Sequence, residues 1–243
     1  KYYPENTMIS FKAAKNAGAD WIELDVQSTK DNYIIVMHDS NFKRVSKLNK
    51  NVWDVNYSEI KNLDVGSFFD KKYKGETIPL LEDVVKWAKE NDVKLNIELK
   101  PTGHEVNFEK NVLEIINKYG YENNCVITSG KYESLKNIKK LNKKIKTIYV
   151  MSLAYGDITK LKYADGFSVE ASNISKSFVK KIHKENKEIY AWTINSEANI
   201  SKMLSYNVDN IITDDITNTK DIIESNNTSN VITEYIKMIQ KIF

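Results

Sequence analysis

Short apolar runs alternate with amphipathic stretches along almost the whole chain. Residues Thr7–Ala17 place Met8, Phe11, Ala14 and Ala17 at helical spacing, with Asn6 or Thr7 as N-cap and Gly18 as the stop. Two strands follow, Asp20–Val26 and Tyr33–His38, and the polar Thr29-Lys30-Asp31-Asn32 between them predicts a hairpin turn. Farther on, helices over Leu81–Glu90, Val106–Tyr119, Tyr132–Leu141, Ser175–Glu185, Glu197–Tyr206 and Thr217–Glu224 alternate with strands over Lys94–Lys100, Cys125–Ser129, Thr147–Met151, Gly166–Glu170, Glu188–Ile194 and Asn210–Thr213. That alternation predicts parallel strands joined by right-handed crossovers. With Tyr33–His38 set aside as a hairpin partner, seven barrel strands remain. A closed (β/α)8 barrel takes eight, and the chain opens on a helix, so the expectation is a TIM barrel whose first strand lies before Lys1. A small insertion is expected at about 42–80, within a single domain over 1–225. A polar linker, Asn226–Asn230, then leads to a tail that sets Ile232, Tyr235, Ile236, Ile239, Ile242 and Phe243 on one helical face.

Composition narrows the function. The 243 residues carry 36 Lys and Arg against 33 Asp and Glu, a formal charge of +3, with 41% hydrophobic residues. This is a core-forming chain, and so small a charge gives no support for electrostatic binding to nucleic acid. One cysteine, Cys125, allows neither an internal disulfide nor a thiolate zinc site. Neither an apolar leader nor a membrane-spanning run is present in the sequence given.

In a barrel of this kind the chemistry sits at the C-terminal ends of the strands, so polar residues that interrupt apolar runs there are informative. In Trp21-Ile22-Glu23-Leu24-Asp25-Val26 the two carboxylates lie two residues apart and therefore share the interior face. Two interior carboxylates repel unless one stays protonated or a cation holds them, and an all-oxygen set suits Mg²⁺ or Ca²⁺. Asn96-Ile97-Glu98-Leu99-Lys100 repeats the pattern with Glu98 and Lys100 inward. Glu98 can complete a metal shell and Lys100 can meet a bound anion; the competing reading is a purely structural Glu98–Lys100 ion pair. His38 ends a strand next to Asp39 and is a candidate acid or base. His183 reads as a packing or surface residue of its helix, and His104, flanked by Pro101 and Gly103, as a loop-structuring one.

Several of these segments together carry a resemblance: Pro4-Glu5-Asn6-Thr7, Gly18-Ala19-Asp20-Trp21-Ile22-Glu23-Leu24-Asp25-Val26, Thr29-Lys30-Asp31 and Val36-Met37-His38-Asp39. With Ile97-Glu98-Leu99-Lys100, Ala191-Trp192-Thr193-Ile194-Asn195 and Asn210-Ile211-Ile212-Thr213-Asp214 they closely resemble the glycerophosphodiester phosphodiesterase family, in its order, to about residue 222. The resemblance implies a TIM-barrel hydrolase that uses a divalent cation to cleave small-molecule glycerophosphodiesters into glycerol 3-phosphate and an alcohol. It implies Glu23, Asp25 and Glu98 as metal ligands, His38 as one of two acid/base histidines, Lys100 as a phosphate contact and Trp192 as an aromatic wall of the substrate pocket. The family's His-Arg-Gly motif belongs to the first barrel strand, so it too is expected upstream of Lys1. Were it lacking, a non-catalytic metal- and phosphate-binding domain would be the alternative; a related phospholipase D-type enzyme is a third reading. The Val45–Thr77 insertion and the Ala154-Tyr155-Gly156-Asp157 loop resemble members carried behind bacterial transmembrane helices, which implies a membrane-proximal or cell-surface location and attachment through a segment outside this chain.

Overall fold

The computed structural model describes residues 1–153 and 156–226. The expected tail helix after residue 226, and Ala154-Tyr155 of the loop quoted above, lie outside the described residues.

In chain order the elements are α1 (Met8–Asn16), β1 (Trp21–Ser28), β2 (Ile34–Val36), α2 (Lys43–Ser46), α3 (Tyr57–Ile60), α4 (Leu81–Glu90) and β3 (Lys94–Leu99). Then come α5 (Phe108–Lys118), β4 (Cys125–Ser129), α6 (Tyr132–Leu141), β5 (Lys146–Met151), β6 (Gly166–Glu170), α7 (Lys176–His183), β7 (Glu188–Trp192), α8 (Glu197–Tyr206) and β8 (Asn210–Ile211). A last helix runs from residue 216 to the end of the described chain. One curled sheet has the order β2-β1-β3-β4-β5-β6-β7-β8. All neighbours are parallel except β2, which pairs antiparallel with the end of β1 through Val26↔Val36 and Ser28↔Ile34. The seven parallel strands and the hairpin are thus those expected. Among the described residues β8 does not pair with β1, and the curled sheet is open there.

Alternation along β1 sorts its side chains. Ile22, Leu24 and Val26 are buried in the layer between sheet and helices, together with Val84, Val85, Val112 and Ile116. Trp21, Glu23, Asp25 and Gln27 therefore point the other way, into the space the sheet encloses. A small apolar plug of Val126, Ile148 and Tyr190, with Trp21 and Ile212 against it, fills the floor of that space. Glu23 is in register with Asn96 and Val126, and Asp25 and Glu98 stand one interior position farther along, toward the C-terminal end of the sheet.

The segment expected as an insertion has its own core. Phe42, Val45, Val52, Val55, Ile60, Val65 and Ile78 pack on Ile35 and Met37 of the hairpin. Its return depends on Gly66: a Cβ there would sit 2.0 Å from the Tyr73 carbonyl oxygen, so any side chain would push apart the loop that brings the Val65 amide to Glu76.

Strands β2, β7 and β8 end earlier than periodicity predicts. The Val36 amide donates to the Pro79 carbonyl, the Met37 amide still bonds the Asp25 carbonyl across the hairpin, and the chain bends at His38. Of the two candidate caps for α1, Thr7 is the one used: its hydroxyl accepts from the Ser10 amide.

Candidate active site

Three carboxylates converge at the C-terminal end of β1 and β3. Ligand oxygens of Glu23, Asp25 and Glu98 all lie within 4.8 Å of one another. The convergence follows from register: Asp25 stands opposite Glu98 in the parallel β1·β3 pair, and Glu23 is two residues back on the same face. Just beyond β3, the Lys100 amide donates to the Val26 carbonyl at 3.1 Å, and its ammonium reaches Glu98 at 2.8 Å and Asp25 at 3.2 Å. The ion pair of the structural reading is therefore present, but a second carboxylate shares it and a third, Glu23, has no hydrogen-bond or ion-pair partner among the described residues.

Electrostatics makes Glu23 the most uncomfortable of the three. Burial, reinforced by the charges of Asp25 and Glu98, pushes its carboxyl well above the usual range. Burial also raises Glu98, against the pull of Lys100. Burial alone would lower Lys100, yet the two carboxylates outweigh it and raise the ammonium. Three hard oxygen donors with more negative charge than one lysine balances are a donor set that fits a divalent cation.

Sequence patterning missed the residue that fixes this cluster. Asn6, in the left-handed region at φ 53°, donates from its amide to Asp25 Oδ2 at 2.9 Å and accepts from the Asp25 amide at 3.1 Å. It sits next to the cap of α1, and the short polar side chain that suits a cap also suits this conformation, so the sequence carries no signal separating the two roles.

His38 stands at the exit of β2, half exposed, with Nδ1 2.8 Å from Asp39 Oδ1. Behind it, Arg44 of α2 forms a fork between Asp39 (Nε to Oδ2, 2.6 Å) and Glu5 (2.9 and 2.5 Å). The Arg44 hydrogen bond, helped by His38, holds the Asp39 carboxyl below its ordinary value. From below, the buried amide of Gln27 donates through Nε2 to the carbonyls of Met37 (3.1 Å), His38 (2.9 Å) and Asp39 (2.7 Å). His38, Gln27, Glu98 and Lys100 line one open cleft of about 1060 Å³, which continues over α2 and the start of α6. His38 thus opens onto the same cleft as Glu98 and Lys100.

Trp192 ends β7 on the same interior face as Tyr190, and its buried indole nitrogen has no hydrogen-bond partner among the described residues. Trp192 faces the space the sheet encloses and is not among the residues lining the cleft of Lys100 and His38. Its neighbour Asn195 holds the end of β8, donating to Asp214 Oδ2 at 2.8 Å and accepting from the Asp214 amide at 2.9 Å. Asp214 adds to the negative potential at Glu23.

The other histidines lie outside this constellation. His183 pairs with Asp209 at 2.9 Å, and His104 stacks on Trp53, ring centroids 4.4 Å apart. Both agree with the packing and loop roles read from sequence. Among the described residues no helix is long and apolar enough to cross a membrane.

Comparison with known proteins gives the chain its relatives. A glycerophosphodiester phosphodiesterase of Caldanaerobacter subterraneus subsp. tengcongensis is 34% identical over 221 residues, covering 88% of this chain and 90% of that protein. One from Bacillus altitudinis is 35% identical over 219 residues, covering 87% and 89%. Among solved structures, an Oleispira antarctica phosphodiesterase in complex with the product sn-glycerol-3-phosphate superposes with a TM-score of 0.86 at 25% identity, covering 92% of each chain. The model of the glycerophosphoryl diester phosphodiesterase family matches residues 1–218, and the chain belongs to that family.

Proposed function

We propose that this protein hydrolyses glycerophosphodiesters to glycerol 3-phosphate and an alcohol, with Glu23, Asp25 and Glu98 holding a divalent cation, Ca²⁺ or Mg²⁺. The observation that carries the reading is the convergence of these three carboxylates beside Lys100 and His38 at one mouth. When bound, such an ion polarises the phosphodiester and lowers the pKa of an oxygen nucleophile.

The chain's own residues supply the rest. Asn6 holds Asp25 in place, so the interior carboxylates face the mouth in one arrangement. Lys100, tethered by Asp25 and Glu98, sets an ammonium next to the cluster, where it donates a hydrogen bond to a phosphate oxygen. His38 has Nδ1 engaged by Asp39, which leaves Nε2 to move a proton at the scissile phosphorus–oxygen bond. Trp192 ends β7 on the interior face of the sheet, and the glycerol side of the substrate, reaching inward past the cleft, meets its indole N–H and ring edge there.

The experiment follows the bond that breaks. Phosphorus NMR of glycerophosphocholine incubated with the full-length protein and Ca²⁺ or Mg²⁺ should show glycerol 3-phosphate, with free choline. Phosphocholine and glycerol as products, or no turnover with either ion, would refute the reading.

A further inference from the structure

The cleft is much larger than a glycerophosphoryl group needs. Its volume of about 1060 Å³ reaches the upper end of the range that encloses a drug-sized ligand. Away from the carboxylate cluster it is lined by Lys43 and Arg44 of α2 and by Gly130 and Lys131 at the start of α6.

The charges in this outer part do not cancel. The lining holds the cations Lys43, Arg44, Lys100 and Lys131 against the carboxylates Asp39 and Glu98. Arg44 is bound by Asp39 and Glu5, and Lys100 by Glu98 and Asp25. Lys43 and Lys131 are exposed, and among the described residues neither ammonium has a carboxylate within ion-pair distance. Lys131 is also the N-cap residue of α6, an end with no side-chain cap. Two unneutralised ammonium groups facing one concavity raise the local concentration of anions and favour a ligand with negative charge there.

Building on the hydrolase reading above, we propose that Lys43 and Lys131 form a subsite for the departing alcohol, and that the preferred substrates carry a second anionic group, a phosphate or carboxylate, on that alcohol. The scissile phosphate lies at Lys100 and His38, so a ligand extending outward along the cleft passes between α2 and the start of α6. The two lysines then act on binding of the departing half and leave bond cleavage to the inner residues.

A matched pair of diesters tests this: glycerophosphoglycerol, and the same compound with a terminal phosphate on the departing glycerol. In the full-length protein kcat/KM should favour the phosphorylated compound by about tenfold at low salt, with the preference fading in roughly 0.5 M NaCl. The double variant Lys43→Ala with Lys131→Ala should bring the ratio close to one. Equal kcat/KM values in the parent, or a preference untouched by the double substitution, would overturn the proposal. Calorimetric binding of the same two compounds, with divalent ions chelated to stop turnover, reads the subsite without chemistry. Tighter binding of the phosphorylated compound that the double substitution abolishes, in a protein that cleaves neither diester, would refute the hydrolase reading and support the subsite. Turnover of both diesters with no difference in kcat/KM or binding would do the reverse.

Discussion

Replacing Gln27 by Met separates what the His38 support does for stability from what it does for catalysis. The Gln27 amide nitrogen carries two hydrogens and serves three carbonyls in succession, those of Met37, His38 and Asp39. Methionine keeps the length of the side chain and removes both donors. His38 is exposed and Asp39 half buried, so water can replace the donor at those two carbonyls, whereas Met37 is buried and its carbonyl loses a partner. Stranding one buried acceptor costs about 1–3 kcal/mol. The same substitution removes Gln27 Oε1, a buried oxygen with no partner, and relieves a cost of similar kind. The net loss should therefore be small, about 0–2 kcal/mol, or at most about 8 °C in Tm for a domain of this size. Turnover should respond more, because the carbonyls being released flank the histidine: misplacement of such a group by about 1 Å costs on the order of 10²-fold, so kcat should fall about 10–100-fold with KM little changed. Steady-state kinetics on glycerophosphocholine and a thermal melt on the same preparation suffice. A kcat within twofold of the parent, together with a large fall in Tm, would refute the positioning role.

Glu23→Gln should raise Tm in the absence of divalent ions at neutral pH. Its folded-state pKa lies above the unfolded one, so the charged carboxylate penalises the fold progressively as pH rises through the unfolded value. Added Ca²⁺ or Mg²⁺ should stabilise the parent and stabilise the variant less; equal shifts in both would remove Glu23 from the ion's shell. Arg44→Met should let the Asp39 carboxyl titrate at higher pH by carbon-detected NMR, with a stability loss of about 0.5–1 kcal/mol because the fork is half exposed; an unmoved titration would show that Arg44 does not set it. Asp64, held at about 2 by the Ser67 hydroxyl and the amides of Ser67 and Gly66, contributes stability that is present above the unfolded pKa and lost as pH falls toward 2. Asp64→Asn should flatten the stability profile between about pH 4 and 2, and an unchanged slope would argue against it.

The inner part of this site was legible because strand alternation is a local rule. A single residue between Glu23 and Asp25, and a single one between Glu98 and Lys100, suffices to put all four on the interior face, and parallel register then brings Asp25 opposite Glu98. Cross-element supports were not legible. Arg44 meets Glu5 across 39 positions, and Asn6 meets Asp25 across 19. No periodicity links them, since α2 is a single turn inside a segment whose core forms against the hairpin. For Trp192 the face follows from alternation, but its place relative to Lys100 depends on how the sheet curls through the three intervening strands.

Whether the three converging carboxylates hold the divalent ion on which glycerophosphodiester hydrolysis depends is decided by titrating Ca²⁺ and Mg²⁺ into chelator-treated full-length protein and following glycerol 3-phosphate release, in parallel for the parent and for Glu98→Gln. The parent should recover activity saturably, and the variant, still folded by circular dichroism, should stay lower by about 10²-fold or more at every ion concentration. Full activity of the parent in chelator, or a variant that saturates at the parental rate, would contradict the account.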